Sequence, residues 1–182
     1  MKQKTAFIDR DGTINVNVEY LDNPNDLHIY PDVAKGIKRL QDHEFKIIVI
    51  SNQSGIARGY FSEETLQQIH ERIQEELAKE QASIDDFFYC PHHPDDGCDC
   101  RKPKTGLFEQ AIKKYNIDVS QSFVIGDRML DVEAGYNLGL ITILIPENVE
   151  FVKEERRLTK IEPNYICDDF YSAVEWIVQN QK

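Results

Sequence analysis

Short apolar runs rich in β-branched and aromatic residues recur along the chain and predict six β-strands. They occupy residues 5–8, 46–50, 87–90, 123–125, 141–145 and 165–167. The run at 46–50 reads Lys-Ile-Ile-Val-Ile, with apolar side chains at successive positions, as in a strand that is buried on both faces. That pattern is typical of a parallel sheet.

Segments with helical spacing separate these runs. Val33, Ile37 and Leu40 share one helix face, and Ser62 is a candidate N-cap for a longer helix that extends to about residue 81. Shorter helices are predicted at 107–115, 132–138 and 170–178. Strands that alternate with helices imply βαβ crossovers. We therefore expect an α/β fold with a Rossmann-like, doubly wound parallel sheet.

The length and charge of the chain narrow the classes of partner. A chain of 182 residues fits one domain, so we expect a single domain over residues 1–182 without a separate cap. The net charge of −11 argues against binding to nucleic acid or to anionic lipid. No apolar run is typical of a secretion signal or approaches the ~18 residues of a membrane span. We expect a cytoplasmic monomer that acts on a small molecule.

Two carboxylates follow the first predicted strand. Asp9 and Asp11 lie two positions apart, and Gly12 allows a tight turn directly after them. In such a pair, one carboxylate can act as nucleophile and metal ligand while the other acts as proton donor. Taken alone, the same residues could equally form a solvated turn.

Further polar segments follow the later strands. Residues 51–54 offer hydroxyl and amide donors for phosphate oxygens, and Arg101 and Lys102 form part of a cationic cluster in an acidic chain. Asp127 and Asp131 follow the fourth predicted strand and suit a hard cation such as Mg²⁺. Because ligands bind beyond the carboxyl ends of strands in such sheets, we expect these segments to meet there.

The loop at residues 90–100 predicts a second metal site. Cys90, His92, Cys98 and Cys100 form a set of three thiolates and one imidazole, which suits closed tetrahedral Zn²⁺. His93 is the rival to His92, but the spacing of two residues within each ligand pair favours His92. Since the cationic cluster follows Cys100 directly, we expect the zinc to be structural and to fix the geometry of that cluster.

The order of these motifs resembles the haloacid dehalogenase (HAD) superfamily of phosphatases, and the match extends over roughly residues 5–145. The resemblance implies that Asp9 is the nucleophile that becomes an aspartyl phosphate, and that Asp11 is the general acid and base. It also implies that Ser51 and Lys102 hold the transferred phosphoryl group.

The same resemblance implies a magnesium cofactor. Its ligands would be Asp9, the backbone carbonyl of Asp11, and Asp127. Carboxylate attack on a phosphate dianion is electrostatically repelled, so a metal ion and a lysine are needed to offset the charge.

The zinc loop and the Cys-Arg-Lys-Pro segment that ends it resemble the branch of heptose 1,7-bisphosphate phosphatases and histidinol-phosphate phosphatases. Residues 51–59 resemble the heptose enzymes, whereas the short stretch between His92 and Cys98 resembles the histidinol-phosphate enzymes. We expect a heptose 1,7-bisphosphate as the substrate, with histidinol phosphate as the alternative. Another small phosphate ester, a catalytically inactive phosphate sensor and a DNA 3′-phosphatase are further alternatives, the last disfavoured by the negative charge.

The resemblance implies substrate contacts in four segments of the chain. The contacting residues are Asn17, Val18, Glu19, Tyr20, Ser51, Asn52, Gln53, Ser54, Arg101, Lys102 and Arg128. A second phosphate on the substrate would suit Arg58, Arg101 or Arg128, whereas the cationic end of histidinol phosphate would suit Glu19, Asp95 or Asp96.

Overall fold

The structure is a computed structural model that describes residues 2–181. Six strands form one parallel sheet in the order β3-β2-β1-β4-β5-β6. The strands are β1 (Thr5–Ile8), β2 (Lys46–Asn52), β3 (Asp86–Cys90), β4 (Phe123–Gly126), β5 (Ile141–Leu144) and β6 (Tyr165–Ile166). The arrangement confirms the predicted α/β fold.

Six α-helices accompany the strands within residues 2–181. They are α1 (Val33–Asp42), α2 (Glu63–Ala78), α3 (Gly106–Tyr115), α4 (Met129–Leu138), α5 (Val149–Leu158) and α6 (Phe170–Asn180), with 3₁₀ turns at Pro24–Asp26, Pro94–Asp96 and Val119–Gln121. As predicted, the Ser62 hydroxyl caps α2 by accepting a hydrogen bond from the Thr65 amide. Helix α5 was not predicted, because it is rich in charged residues and buries only Val152.

The core lies on both faces of the sheet. Alternate residues of the central strands point to opposite faces: Ala6 and Ile8 of β1 pack with α1, α2 and α6, whereas Phe7 packs against Phe108 of α3. All three β1 side chains are fully buried. This two-sided burial explains the continuous apolar runs in the sequence.

The sheet reverses its winding between β1 and β4. Strand β1 pairs with β2 on one side and with β4 on the other, and the amide of Asp9 donates to the Ile125 carbonyl over 2.9 Å. The carboxyl ends of these strands therefore open onto the crevice where ligands bind in doubly wound sheets.

Two expectations about domain structure stay predictions, namely the single domain and the absence of a cap. None of the helices within residues 2–181 combines the length and the apolar character needed to cross a lipid bilayer.

Candidate active site

A polar cavity of about 350 Å³ opens at the carboxyl ends of β1, β2 and β4. It is lined by the turn after β1, the loop 17–21, the loop after β2, the two cations that follow the zinc loop, and the start of α4. Every residue expected to bind substrate lines it except Ser51. A cavity of this size suits a small-molecule ligand.

The turn after β1 lets the carboxylate of Asp127 approach that of Asp9. Gly12 adopts φ = +86°, in the left-handed region that glycine tolerates, and a Cβ atom there would lie 2.5 Å from Oδ2 of Asp127. Only a residue without a side chain therefore allows Asp127 to approach the turn that carries Asp9.

Lys102 reaches from its loop to the centre of the site. Its Nζ lies 2.6 Å from Asp9 Oδ1, 2.6 Å from Asp131 Oδ1 and 2.6 Å from the Ile50 carbonyl oxygen. Burial lowers the pKa of Lys102, but the carboxylates of Asp131 and Asp9 outweigh this and raise it above its usual value. Lys102 is thus a fixed cation beside Asp9.

The backbone of Lys102 is also held. Its amide donates to Asn52 Oδ1 over 3.0 Å, and the Asn52 amide group donates back to its carbonyl over 3.2 Å. Asn52 is the last residue of β2, so the sheet itself positions the lysine.

The sequence indicated Asp131 only as a metal carboxylate, whereas its close contact is with Lys102.

Three carboxylates converge where a cation is expected. Asp9, Asp127 and Asp131 each offer an oxygen, and these oxygens lie within 4.8 Å of one another. Burial, followed by repulsion from Asp9 and Asp131, raises the pKa of Asp127 to about 9, and Asp127 Oδ1 has no hydrogen-bond partner within residues 2–181. A buried cluster of hard oxygen donors with an unused atom fits Mg²⁺. The carboxylate of Asp11 is not part of this cluster.

Asp11 is held by its neighbours. Arg10 places Nε and Nη2 at 2.8–3.2 Å from both carboxylate oxygens, and the amides of Asn15 and Gln53 donate to it over 3.0 and 2.9 Å. Burial raises the pKa of Asp11, but the Arg10 guanidinium and these hydrogen bonds outweigh it and keep the pKa below 3.8. In this arrangement Asp11 is ionised.

Arg10 is a site residue that the sequence reasoning missed. It is 1% exposed, lines the cavity, and also donates to Gln53 Oε1 over 3.2 Å. The sequence did contain a hint, because Arg10 lies between two aspartates directly after an apolar strand. A buried arginine needs carboxylate partners of this kind.

Ser51 and Arg101 keep unused donors. Ser51 is fully buried at the end of β2 and does not line the cavity; its hydroxyl has no hydrogen-bond partner in the described part of the chain. The same holds for Nη1 of Arg101, which does line the cavity. Buried polar atoms are rarely left unpaired, so both atoms keep hydrogen-bonding capacity, and Nη1 of Arg101 can use it on a ligand in the cavity.

The zinc-loop residues converge as a second cluster. The sulfurs of Cys90, Cys98 and Cys100 lie 3.1–3.6 Å apart, and His92 Nδ1 lies 3.5 Å from Cys90 and 3.1 Å from Cys100. These separations exceed a disulfide bond of about 2.05 Å and approach the ~3.8 Å that Zn–S bonds of about 2.3 Å imply for a tetrahedron. The donor set fits Zn²⁺. His93 instead caps the 3₁₀ turn, where its Nδ1 accepts from the Asp95 amide.

The three candidate arginines differ in their surroundings. Arg101 lines the cavity, and Arg128 lines it while paired with Glu155. Arg58 is exposed and lies outside the cavity lining. Of the acidic candidates only Glu19 lines the cavity.

Comparison with known families agrees with this geometry. A family model described as polynucleotide kinase 3 phosphatase matches residues 4–135, and one described as HAD-hydrolase-like matches residues 99–173. A crystal structure of D,D-heptose 1,7-bisphosphate phosphatase from B. bronchiseptica, complexed with magnesium and phosphate, superposes with a TM-score of 0.88 at 29% identity. The match covers 97% of this chain and 99% of that one.

Relatives in sequence carry a similar name. A D-glycero-beta-D-manno-heptose-1,7-bisphosphate 7-phosphatase from Haemophilus ducreyi is 38% identical over 176 residues, which is 92% of this chain and 97% of the relative. A probable D-glycero-D-manno-heptose-1,7-bisphosphate 7-phosphatase from Thermoplasma volcanium is 48% identical over 125 residues, 69% of this chain and 86% of the relative. The chain therefore belongs to the HAD superfamily of phosphatases, in the family of the D-glycero-D-manno-heptose-1,7-bisphosphate 7-phosphatases.

Proposed function

We propose that this phosphatase removes the 7-phosphate of D-glycero-D-manno-heptose 1,7-bisphosphate and releases heptose 1-phosphate and inorganic phosphate. The observation that carries the proposal is the match to the Haemophilus ducreyi enzyme, which is 38% identical over nearly the whole length of both chains. The cavity supports the proposal, because Arg101, Lys102 and Arg128 line it together with the turn that carries Asp9.

Asp9 performs the first half of the reaction. Its carboxylate oxygen forms a bond to phosphorus while the bond from phosphorus to O7 of the sugar breaks, and Asp11 gives its proton to O7. Lys102, 2.6 Å from Asp9, offsets negative charge on the phosphoryl oxygens, and the free hydroxyl of Ser51 donates to them. Asp9, Asp127 and the carbonyl of Asp11 would hold Mg²⁺, which would supply further positive charge at the phosphoryl group.

Asp11 performs the second half. It takes a proton from water as the water oxygen attacks phosphorus. The bond between phosphorus and the Asp9 oxygen breaks, which regenerates the free Asp9 carboxylate. The contacts from Arg10 and Gln53 hold Asp11 in the ionised form that this step needs. To act as the acid in the first half, Asp11 must carry the proton that it took from water in the preceding turnover, and must turn from Arg10 towards the leaving oxygen.

Zinc has a structural role in this proposal. Cys100 is followed directly by Arg101 and Lys102, so fixing the thiolate fixes the backbone that carries both cations. None of the four residues that would hold the zinc lines the cavity, so the ion would act through the backbone and not on the substrate.

The distribution of charge favours a bisphosphate over histidinol phosphate. Arg101 and Arg128 line the cavity with donors for a second phosphate, whereas Asp95 and Asp96 lie outside it. Glu19 is the one acidic candidate left for a cationic substrate group among the lining residues. The net charge of −11 further supports a small-molecule substrate and argues against a nucleic-acid or membrane partner. We place the enzyme in the cytoplasm as a monomer.

A substrate panel with Mg²⁺ tests this function. It compares both anomers of the heptose bisphosphate, histidinol phosphate, fructose 1,6-bisphosphate and a 3′-phosphorylated oligonucleotide by kcat/KM. We expect the heptose bisphosphate to exceed histidinol phosphate by at least about 100-fold, or about 2.7 kcal/mol. Arg101→Ala should narrow that gap, whereas Arg58→Ala, outside the cavity lining, should leave it unchanged. A higher kcat/KM for histidinol phosphate or for the oligonucleotide would overturn the assignment.

A further inference from the structure

We propose that Glu155 and Phe151 of helix α5 are positioning residues that hold Arg128 on the cavity rim, where it binds the part of the substrate remote from the reacting phosphate. The proposal rests on the proposed function in one respect, since it requires a substrate with a second anionic group. Neither α5 residue belongs to the motifs that carry the chemistry.

Glu155 is fixed from two sides. Its Oε1 accepts from Arg128 Nε over 3.0 Å and from Nη2 over 2.5 Å, and its Oε2 accepts from the Met129 amide over 3.1 Å. Met129 is the first residue of α4, so its amide has no acceptor within the helix. One carboxylate thus satisfies the start of α4 and orients the guanidinium that precedes it.

Phe151 contacts the flat face of the same group. Its ring centroid lies 4.3 Å from Arg128 Cζ, within the range of a cation–π contact. Phe151 and Glu155 are four residues apart, which places them on one face of α5. The carboxylate thus holds one edge of the guanidinium and the ring holds one face, while Nη1 makes no hydrogen bond within residues 2–181.

Stability alone explains this arrangement poorly. The side chains of Arg128 and Glu155 are 36% and 19% exposed, and partly exposed ion pairs contribute little to folding. Helix α5 buries only Val152, yet it presents two side chains to an arginine that lines the cavity.

Positioning and net charge predict opposite effects of removing Glu155. Its carboxylate offsets the charge of Arg128, so an arginine that acted by charge alone would attract an anion more strongly without it. An arginine that acts through directed hydrogen bonds binds more weakly once its orientation is lost.

The test measures kcat and KM for the heptose bisphosphate and for p-nitrophenyl phosphate, which has no second anionic group. For Glu155→Ala we expect KM for the bisphosphate to rise about tenfold, with kcat and both p-nitrophenyl phosphate constants within about twofold of wild type. Glu155→Gln, which keeps one acceptor oxygen, should give a smaller rise, and so should Phe151→Ala. Glu154→Ala, an exposed neighbour on the same helix, is the matched control.

A double-mutant cycle shows whether Glu155 acts through Arg128. In an Arg128→Ala background, Glu155→Ala should cause no further change in KM for the bisphosphate. A further tenfold rise in that background, a lower KM in Glu155→Ala, or equal losses on both substrates would each overturn the proposal. If the melting temperature of Glu155→Ala is far below that of wild type, Glu155→Gln replaces it in the same measurements.

The same data separate this proposal from the proposed function. Should the enzyme prefer a different bisphosphate, the assigned substrate is wrong, and the cycle is repeated with the preferred one. Should the heptose bisphosphate lead the panel while Glu155→Ala leaves its KM unchanged, the function stands and the role of Glu155 is refuted.

Discussion

Acid should destabilise this protein partly through His70. The residue lies on α2 and is 3% exposed, its ring stacks on Phe87 with centroids 4.1 Å apart, and its Nε2 has no hydrogen-bond partner within residues 2–181. Burial, together with the nearby Arg10, lowers the pKa of His70 to about 3. The folded protein therefore keeps this imidazole neutral at pH values where a free histidine is charged.

The size and direction of the effect follow from linkage. An unfolded chain binds a proton at His70 with a pKa of about 6.5, whereas the folded chain does not bind it until the pH approaches 3. The contribution is therefore intact above pH 6.5 and is lost progressively as the pH falls from 6.5 towards 3. Between pH 7 and pH 5 the free energy of unfolding should drop by about 2 kcal/mol from this residue.

Urea unfolding at the two pH values measures that drop. His70→Gln removes the titrating group, so its stability should fall by about 2 kcal/mol less than that of wild type between pH 7 and pH 5. All other titrating groups are shared, and the difference between the two proteins isolates His70. His28→Gln, at an exposed position, is the matched control and should follow wild type. Equal losses in wild type and His70→Gln would refute the reasoning.

Three further predictions concern the site. Asp9→Asn should abolish turnover in a phosphate-release assay while the circular dichroism spectrum stays native, because the amide is a poor nucleophile; measurable turnover would contradict the mechanism. Asp11→Asn should lose far more activity on a sugar phosphate than on p-nitrophenyl phosphate, whose leaving group needs no proton, and equal losses would argue against a general acid. Elemental analysis should find one zinc per wild-type chain, and Cys98→Ser should lose the metal and most activity; a zinc-free, fully active Cys98→Ser would contradict the structural role.

The sequence predicted the strands more completely than the helices. Strands β1, β2 and β4 are central in the sheet and buried on both faces, so their apolar runs are continuous and end abruptly at polar residues. Those abrupt ends also located the carboxylates of the site. Helix α5 lacks such a pattern, because a helix that buries one side chain has no apolar face to recognise.

Contacts between distant segments account for what the sequence could not show. Asp131 is recognisable as an acidic residue after β4, but its contact with Lys102 depends on how the zinc loop folds over β2. The position of Arg10 between two aspartates hinted at a buried ion pair, but its contacts with Asp11 and Gln53 are visible only in the folded chain. The pairing of Arg128 with Glu155 depends in turn on a helix that was not predicted.

The strand order has a consequence for how activity arises during folding. Strands β1 to β3 are paired within the first half of the chain and β4 to β6 within the second, and within the sheet the two groups of strands are joined by the pairing of β1 with β4. Asp9 belongs to the first half, whereas Lys102 and Asp127 come from the part that follows it. The β1–β4 pairing joins segments that are far apart in the sequence, and long-range contacts of this kind form slowly. Enzyme activity therefore reports the joining of the two halves, and in a refolding experiment we expect activity to return no earlier than the β1–β4 pairing.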